Sequence, residues 1–310
     1  MKKTLLALAL AVLGSAAGAA SAQSNVTVYG KLDLGLAKPL GTDAKGLADA
    51  AGSRLGFRGS EDLGNGLSAL FGFEHRFDPD TGAANKAATF WQGYSTVGLK
   101  GGFGSVNIGR QYVPAFSLIQ NQIDPFGGDT VGQLRDVGMR PGGITKVRVA
   151  GSVRYDFSAN GFNVAASLGE GDKNGGPDKP FSIAGNYAAG PLFVGIGYED
   201  PAGESDKLVS AGARYNVGFA TFSAGISTGT TAADLKARGY MVGADVPLGS
   251  GNVYTGFAEQ KVDGVTVSRK FGLGYHHKLS KRTKLYADFG NDSKLASDKS
   301  GYDLGIQHNF

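Results

Sequence analysis

Apolar and polar side chains alternate along most of this chain, in stretches of about ten residues separated by turn residues. In the last such stretch, 301–310, alternate residues fall on opposite faces of an extended strand: Tyr302, Leu304, Ile306, His308 and Phe310 on one face, and Asp303, Gly305, Gln307 and Asn309 on the other. The pattern predicts sixteen strands near 26–36, 52–60, 66–78, 89–100, 104–112, 146–156, 161–170, 180–189, 191–200, 206–216, 219–229, 237–246, 250–260, 266–277, 282–292 and 300–310.

The predicted connections differ in length at the two ends of the strands. Short turns such as 101–104 and 158–161 alternate with longer polar loops such as 41–51 and 169–179. An even number of strands, joined by short turns at one end and long loops at the other, is typical of a transmembrane β-barrel. A soluble β-sandwich has no reason to keep this alternation of loop lengths along the whole chain. Residues 113–145 are too long for a plain surface turn, so we expect this insertion to fold into the lumen.

The first residues have the three parts of a secretory signal. A charged Met1-Lys2-Lys3 precedes an apolar run and the small residues 20–22, so residues 1–22 are expected to be a signal peptide and 23–310 the barrel. Without Lys2 and Lys3 the chain keeps 29 basic residues (31 − 2) against 27 acidic ones, which does not suggest binding to nucleic acid. Cysteine is absent, which excludes disulfides, thiolate metal sites and cysteine nucleophiles.

Strand alternation assigns the side chains to the two faces of the barrel wall. The residues expected to face lipid are Leu55, Phe57, Leu67, Ala69, Phe71, Phe73, Val97, Leu99, Val147, Val149, Val153 and Tyr155. The residues between them are then expected to face the lumen: Tyr29, Lys31, Asp33, Arg54, Arg58, Glu74, Arg76, Lys146, Arg148 and Arg154. Seven bases against two acids predict a basic wall.

The insertion supplies acids that would lie opposite this basic wall. Asp124, Asp129 and Asp136 all fall within 113–145. Charges of opposite sign across a narrow water-filled pore set ion selectivity without catalysis. Arg110 breaks the alternation of Val106 and Ile108, which is compatible with a bulge, a strand end or a subunit contact.

Catalytic and metal-binding signals are weak. Gly225-Ile226-Ser227-Thr228-Gly229 matches G-x-S-x-G, but no helix follows it, as a nucleophile elbow requires. The rings of His276 and His277 would point to opposite faces of one strand, so they do not chelate one metal, and His75 and His308 are isolated. We therefore expect neither an enzyme nor a cofactor.

Four stretches carry a resemblance to a known family. Residues 53–64 (SRLGFRGSEDLG), 95–99 (STVGL), 102–104 with 109–112 (GFG and GRQY), and 274–286 (GYHHKLSKRTKLY) resemble the general diffusion porins of Gram-negative outer membranes, in their betaproteobacterial form. The resemblance extends from about Gln23 to Phe310.

This resemblance implies a homotrimer of 16-stranded barrels in the outer membrane, in contact with lipid and lipopolysaccharide, with the third long loop inside each pore. It implies that Phe310 is read by the outer-membrane assembly machinery, and that Arg54 and Arg148 match constriction positions of anion-selective members. The sequence departs from those members at Gln92-Gly93-Tyr94, where relatives carry a further arginine, and at Ala150 and Gly151, where polar residues are common.

The function expected is passive diffusion of small hydrophilic solutes, preferentially anions. Two alternatives remain open. One is a porin specific for phosphate or organic acid anions, because arginine binds carboxylate and phosphate equally well. The other belongs to a different class, an outer-membrane barrel enzyme or an adhesin.

Overall fold

The computed structural model describes residues 24–85 and 88–310. The predicted signal peptide, 1–22, lies outside the described residues. Seventeen strands occur in this part of the chain: β1 Asn25–Lys38, β2 Gly46–Ala48, β3 Arg54–Gly64, β4 Leu67–Arg76, β5 Tyr94–Gly101, β6 Gly104–Tyr112, β7 Arg148–Ala159, β8 Phe162–Gly169, β9 Phe181–Ala189, β10 Leu192–Asp200, β11 Lys207–Asn216, β12 Thr221–Thr230, β13 Lys236–Leu248, β14 Gly251–Val262, β15 Val265–Lys278, β16 Thr283–Asp292 and β17 Ser300–Asn309.

The sixteen longer strands form a closed antiparallel ring. Each strand from β3 to β17 pairs with its neighbours in chain order, and β1 pairs with β3 along one edge and with β17 along the other. The short β2 pairs with the end of β1, for example Gly35 with Ala48, and is not a wall strand. The predicted 16-stranded all-β barrel is confirmed, although β2 was not foreseen, and β5 and β7 begin later than predicted.

The two faces of the wall differ in chemistry. Large apolar side chains are exposed on the outer face, where Val97, Ile196 and Ile226 are 60–65% exposed. Alternate residues such as Ala165 and Ser210 are fully buried on the inner face. An apolar exterior of this kind is what a barrel presents to the hydrocarbon of a bilayer.

Two of the residues predicted to face lipid were assigned to the wrong side. Val149 is buried and packs against Val113 and Phe116, and Val147 packs against the same cluster. The cause is a β-bulge between β6 and β7, where the register steps from Gly109–Ser152 to Gln111–Val149. Gly151 has a positive φ of 55° there, so strict alternation ends at the bulge, and the adjacent residues Arg148 and Val149 both lie on the side of the insertion segment.

The connections between strands are short at one rim of the barrel and mostly longer at the other. The turns 65–66, 102–103, 160–161, 190–191, 217–220, 249–250 and 279–282 lie at one rim, and the longer loops 39–53, 77–93, 113–147, 170–180 and 293–299 at the other, together with 201–206, 231–235 and 263–264. Short turns mark the periplasmic rim of such barrels and long loops the extracellular rim.

Helical structure in the described part is confined to short turns. They are a π-helical turn Phe116–Gln120, α-helical turns Asn121–Ile123 and Arg135–Gly138, and 3₁₀ turns Pro141–Gly143 and Asp172–Asn174. Within residues 24–85 and 88–310 no helix has the length and apolar character needed to cross a membrane.

The insertion segment, residues 113–147, packs against the inner face of the wall. Its side chains Ile119, Ile123, Leu134 and Met139 are fully buried. Glycines on the wall make this contact possible, because a Cβ on Gly212 would lie 2.5 Å from Ile123. In the same way, a Cβ on Gly195 would lie 2.5 Å from Ile119, one on Gly243 would lie 2.7 Å from Pro125 and one on Gly256 would lie 2.6 Å from Leu134. The segment therefore lies almost directly on the backbone of β10 to β14.

Hydrogen bonds fix the insertion segment to the wall at several points. Near its start, the Ala115 N–H donates to Ser182 Oγ at 3.0 Å. In its middle, the Val131 N–H donates to the Asp303 carboxylate at 2.7 Å. Near its end, Glu199 accepts from the Thr145 hydroxyl at 2.6 Å and from the Lys146 N–H at 2.7 Å.

Candidate functional site

A cavity of about 560 Å³ lies between the insertion segment and the wall formed by β1, β3, β4, β6 and β7. Its charged lining residues are eight bases and one acid: Lys31, Arg54, Arg76, Arg110, Arg135, Arg140, Lys146, Arg148 and Asp129. An excess of one sign of charge within low-dielectric walls concentrates the field on any ion inside.

Three of these bases form a row across adjacent strands. Lys31 of β1 is paired with Arg54 of β3, and Arg54 is paired in turn with Arg76 of β4. Arg54 donates from Nε to the Gly52 carbonyl at 2.8 Å, and Arg76 donates from Nε to Glu74 at 3.0 Å. Like charges directly opposite each other destabilise a sheet, so this row is better explained by the cavity than by the stability of the wall.

Stacked aromatic rings hold a second group of guanidinium groups. The Arg148 guanidinium carbon lies 4.0 Å from the centre of the Tyr112 ring, and that ring stacks on Phe116 with centroids 5.4 Å apart. On Phe116 lie the guanidiniums of Arg135 at 5.2 Å and Arg140 at 5.8 Å. Aromatic faces attract cations without neutralising them, so the stack positions three guanidinium groups at the cavity, of which Arg135 and Arg140 also share an ion pair with Asp136.

The Tyr112 hydroxyl connects the wall to this stack. It accepts a hydrogen bond from Arg76 at 3.1 Å and another from Arg148. Tyr112 ends β6, immediately before the insertion segment, so one side chain aligns arginines from β4 and β7.

The three predicted acids of the insertion have three different positions. Asp129 lines the cavity and lies 3.5 Å from the Lys31 ammonium. Asp136 pairs with Arg140 at 2.7 Å and Arg135 at 3.3 Å. Burial raises the pKa of the Asp136 carboxyl, but the two guanidiniums outweigh that effect and leave the pKa below its ordinary value.

Asp124 does not line the cavity. Its carboxylate is buried and accepts the backbone N–H groups of Phe126 at 3.0 Å, Leu134 at 2.8 Å and Arg135 at 3.0 Å. Burial raises the pKa of Asp124 although these N–H groups oppose the shift. The residue joins two parts of the insertion segment and leaves Asp129 as the acid of the cavity lining.

Two predicted arginines also lie outside the cavity. Arg58 stacks on Tyr29 at 5.2 Å and lines a separate cavity with Thr27 and Tyr94. Arg154 pairs with Asp156 at 2.6 Å and donates to the Tyr112 carbonyl at 2.8 Å. Arg154 also donates to Ser117 Oγ at 2.9 Å, so it anchors the start of the insertion segment.

Three lining bases were not assigned from the sequence. Arg110 lies on β6 opposite the bulge of β7 and donates from Nε to the Gln92 carbonyl at 3.1 Å. The sequence signal was that Arg110 breaks the alternation of Val106 and Ile108, which left a bulge, a strand end or a subunit contact open. Arg135 and Arg140 had no comparable signal, because they flank Asp136 in a segment without strand periodicity.

The other residues considered in the sequence analysis make hydrogen bonds that stabilise the fold. Ser227 of the G-x-S-x-G match is buried, and its hydroxyl donates to the Gly138 carbonyl at 2.7 Å, which attaches the insertion segment to β12. Phe310 and Gly30 exchange two backbone hydrogen bonds of 3.0 and 3.1 Å. Its role as an assembly signal stays a prediction. In the described ranges, no group of three or more His, Asp or Glu side chains is arranged to hold a metal ion.

Comparison with known proteins identifies relatives of this chain. The family model for Gram-negative porins matches residues 8–296. Outer membrane porin protein 32 of Delftia acidovorans is 33% identical over 345 residues, covering 99% of this chain and 93% of that protein.

Two solved structures show the same fold. The anion-selective porin from Comamonas acidovorans is 27% identical, with a TM-score of 0.78, and the match covers 93% of this chain and all of that chain (100%). OmpT of Vibrio cholerae, in its trimer form, is 15% identical with a TM-score of 0.74, over 93% of this chain and 99% of that chain.

Proposed function

This chain belongs to the Gram-negative porin family, and from that premise we propose that its basic cavity makes the pore prefer anions. The protein is a multi-pass β-barrel of the outer membrane that forms a channel for small hydrophilic solutes. Because the charged lining consists of eight bases and one acid, an anion in the cavity is stabilised and a cation is repelled.

The proposed channel works by diffusion alone, without a catalytic step. The arginine row and the aromatic stack present fixed positive charge to a passing ion, and no covalent chemistry is needed for selectivity. The solutes proposed are small inorganic and organic anions. A pore specific for phosphate or carboxylates is the second candidate, favoured by the guanidinium groups of Arg54, Arg76 and Arg148 around one cavity.

We further propose that the barrel assembles as a homotrimer. An aromatic patch on the outer face of β4 and the following loop supports this proposal, since Phe73 lies 4.6 Å from Trp91, and His75 lies 4.1 Å from Phe90 between ring centroids. Phe90 is 59% exposed in the single chain. Aromatic side chains are enriched at protein interfaces. We also propose that the outer-membrane assembly machinery inserts the barrel into the membrane.

The test is the zero-current potential of the refolded protein in a planar bilayer under a potassium chloride gradient. We expect stepwise openings and a reversal potential displaced toward the chloride equilibrium potential. A potential displaced toward potassium would refute anion preference, and no conductance would refute the channel. Adding phosphate or a dicarboxylate separates the two candidates, because a specific pore shows current block that saturates with concentration.

A further inference from the structure

A second cavity, of about 290 Å³, lies where the loop 39–53 meets the insertion segment and the strands β1, β15 and β17. We call it the loop cavity, and its lining includes Leu40, Thr130, Val131, Lys270 and Asp303. It shares no charged lining residue with the basic cavity. The loop cavity is therefore a separate place inside the barrel where a solute can be held.

Lys270 brings a positive charge to the inner face of β15. Its neighbours Arg269 and Phe271 point outward and are largely exposed, whereas Lys270 is 5% exposed. In the described part of the chain, no carboxylate oxygen lies within 4.0 Å of the Lys270 ammonium. A buried ammonium without a counter-ion is unfavourable, so the stability of the wall does not explain this residue.

Asp303 brings a negative charge to the loop cavity from β17, and it is 4% exposed. One of its oxygens accepts the Val131 N–H at 2.7 Å. Among residues 24–85 and 88–310, no hydrogen-bond partner lies beside its other oxygen, Oδ1, or beside the Thr130 hydroxyl. Buried polar atoms are nearly always hydrogen-bonded, so these two atoms indicate a ligand.

The insertion segment is held rigidly at this cavity. A Cβ on Gly290 would lie 2.4 Å from the Val131 carbonyl oxygen, and one on Gly301 would lie 2.9 Å from the Val131 side chain. Thr130 has a φ of 68°, which is rare for a β-branched residue and is found where the surrounding structure imposes it, often at ligand sites. The wall thus fixes the Thr130 hydroxyl beside the two charges.

The other polar side chains of the loop cavity already have partners. They are Lys38 with Asp298 at 3.1 Å, Asp49 with the Gly52 N–H at 2.8 Å, and Gln133 with Asp136 at 3.2 Å. The groups that remain for a ligand are one ammonium, one carboxylate oxygen and one hydroxyl.

This combination of groups selects one class of solute. A simple anion would pair with Lys270 but leave Asp303 Oδ1 without a partner, and a simple cation would do the reverse. A divalent metal ion needs several oxygen ligands, and the ammonium would repel it. A molecule that carries both a carboxylate and an ammonium group satisfies both charges at once.

We propose that the loop cavity binds a small α-amino acid as a zwitterion, with its carboxylate on Lys270 and its ammonium group on Asp303 and Thr130. A sphere of 290 Å³ is about 8 Å across, and two charge-assisted hydrogen bonds of about 2.8 Å with the ~2.5 Å between the charged groups of an α-amino acid span a similar distance. The side chains of Leu40 and Val131 suit a short aliphatic side chain.

The proposal rests on the channel and not on the anion preference of the basic cavity. A zwitterion has no net charge, so fixed positive charge neither concentrates it nor excludes it as it does an ion. The loop cavity thus gives a second class of solute its own binding position inside the barrel.

The experiment measures ligand binding to the refolded full-length protein in detergent by saturation-transfer NMR titration. The probes are L-2-aminobutyrate, butyrate, which lacks the amino group, and propylamine, which lacks the carboxylate. K270M removes the ammonium, and D303N removes the negative charge but keeps an acceptor for the Val131 N–H. The matched control K281M/E61Q removes one base and one acid from exposed positions near the periplasmic rim.

We expect the wild type to bind L-2-aminobutyrate at least about tenfold more tightly than either analogue, from the usual worth of one charge-assisted hydrogen bond. K270M should bind L-2-aminobutyrate about as weakly as the wild type binds propylamine, without weakening propylamine itself. D303N should show the reciprocal pattern, with butyrate retained. The control should bind all three probes like the wild type. K270Q replaces K270M should that variant fail to refold.

Equal binding of the three probes by the wild type would overturn the proposal. So would equal losses in the control, or a loss of all three probes in K270M, which would mean that Lys270 only supports the fold. Butyrate binding as tightly as L-2-aminobutyrate would assign the loop cavity to simple anions instead. A wild type that discriminates the probes but prefers potassium to chloride would refute the proposed anion preference and leave the zwitterion site standing.

Discussion

Replacing Arg148 with glutamine tests whether the charges of the cavity set its selectivity. A sphere of 560 Å³ has a radius of about 5 Å, so an ion at its centre lies about 6 Å from a lining guanidinium. At that separation in water one unit charge contributes about 0.7 kcal/mol to the energy of the ion, and screening at 0.1 M salt reduces this to about 0.4 kcal/mol.

The effect on selectivity is doubled because the charge acts on both ions with opposite sign. Removing it raises the energy of chloride and lowers that of potassium, so the chloride-to-potassium permeability ratio is expected to fall about fourfold. The assay is the zero-current potential of refolded R148Q in a planar bilayer under a salt gradient, with conductance recorded at the same time.

The control R282Q loses the same charge from an exposed periplasmic turn. Its permeability ratio is expected to stay close to the wild-type value. An unchanged ratio in R148Q, with normal conductance, would refute the reasoning. An equal fall in both variants would show that overall charge, and not the cavity, determines the preference.

Three further predictions follow from the insertion segment. Tyr112→Leu removes the ring beneath one guanidinium but no charge, at a cost of about 0.5–2 kcal/mol of cation–π attraction, so the permeability ratio should fall to a value between those of the wild type and R148Q. Gly239→Ala places a Cβ 2.5 Å from the Gly138 carbonyl oxygen and should push the segment into the lumen and lower conductance, whereas Gly185→Ala meets its nearest atom at 3.5 Å and should conduct normally. Folding lowers the pKa of Asp136, so its ion pairs stabilise the insertion segment at every pH above the ordinary carboxyl pKa of about 4. This stabilisation is lost as the pH falls through the lowered pKa. Current noise should therefore rise in acid. Asp136→Asn should show that noise at neutral pH already, and a quiet variant would contradict the assignment.

Strand periodicity was sufficient to predict the barrel, because each wall strand has one face toward a bilayer and one toward the interior. All sixteen wall strands correspond to predicted stretches. The prediction failed at Val147 and Val149, where the bulge opposite Arg110 shifts the alternation. A bulge adds one residue to one strand without changing composition, so periodicity does not reveal it.

The site was only partly predictable for a related reason. Lys31, Arg54 and Arg76 were assigned to the lumen because they lie on or at an end of regular strands. Arg148 was assigned to the lumen by the same alternation that misplaced Val147 and Val149. In the insertion segment no periodicity relates position to direction. Asp124 and Asp129 therefore had equal standing as sequence candidates, although one accepts three backbone N–H groups and the other faces the cavity. Tertiary packing alone distinguishes them.

The pairing of β1 with β17 has a consequence for how the chain reaches its final form. Most wall strands pair with the next strand along the chain, as Leu248 pairs with Gly251 across a two-residue turn. The pair Gly35 and Gly305, by contrast, joins positions near opposite ends of the sequence. Contacts between distant residues form late in folding, because the intervening chain must be ordered first. Until β1 and β17 pair, the sheet keeps two unpaired edges that are able to pair with strands of other chains. Closure of the barrel therefore depends on one late step, the pairing of β1 with β17.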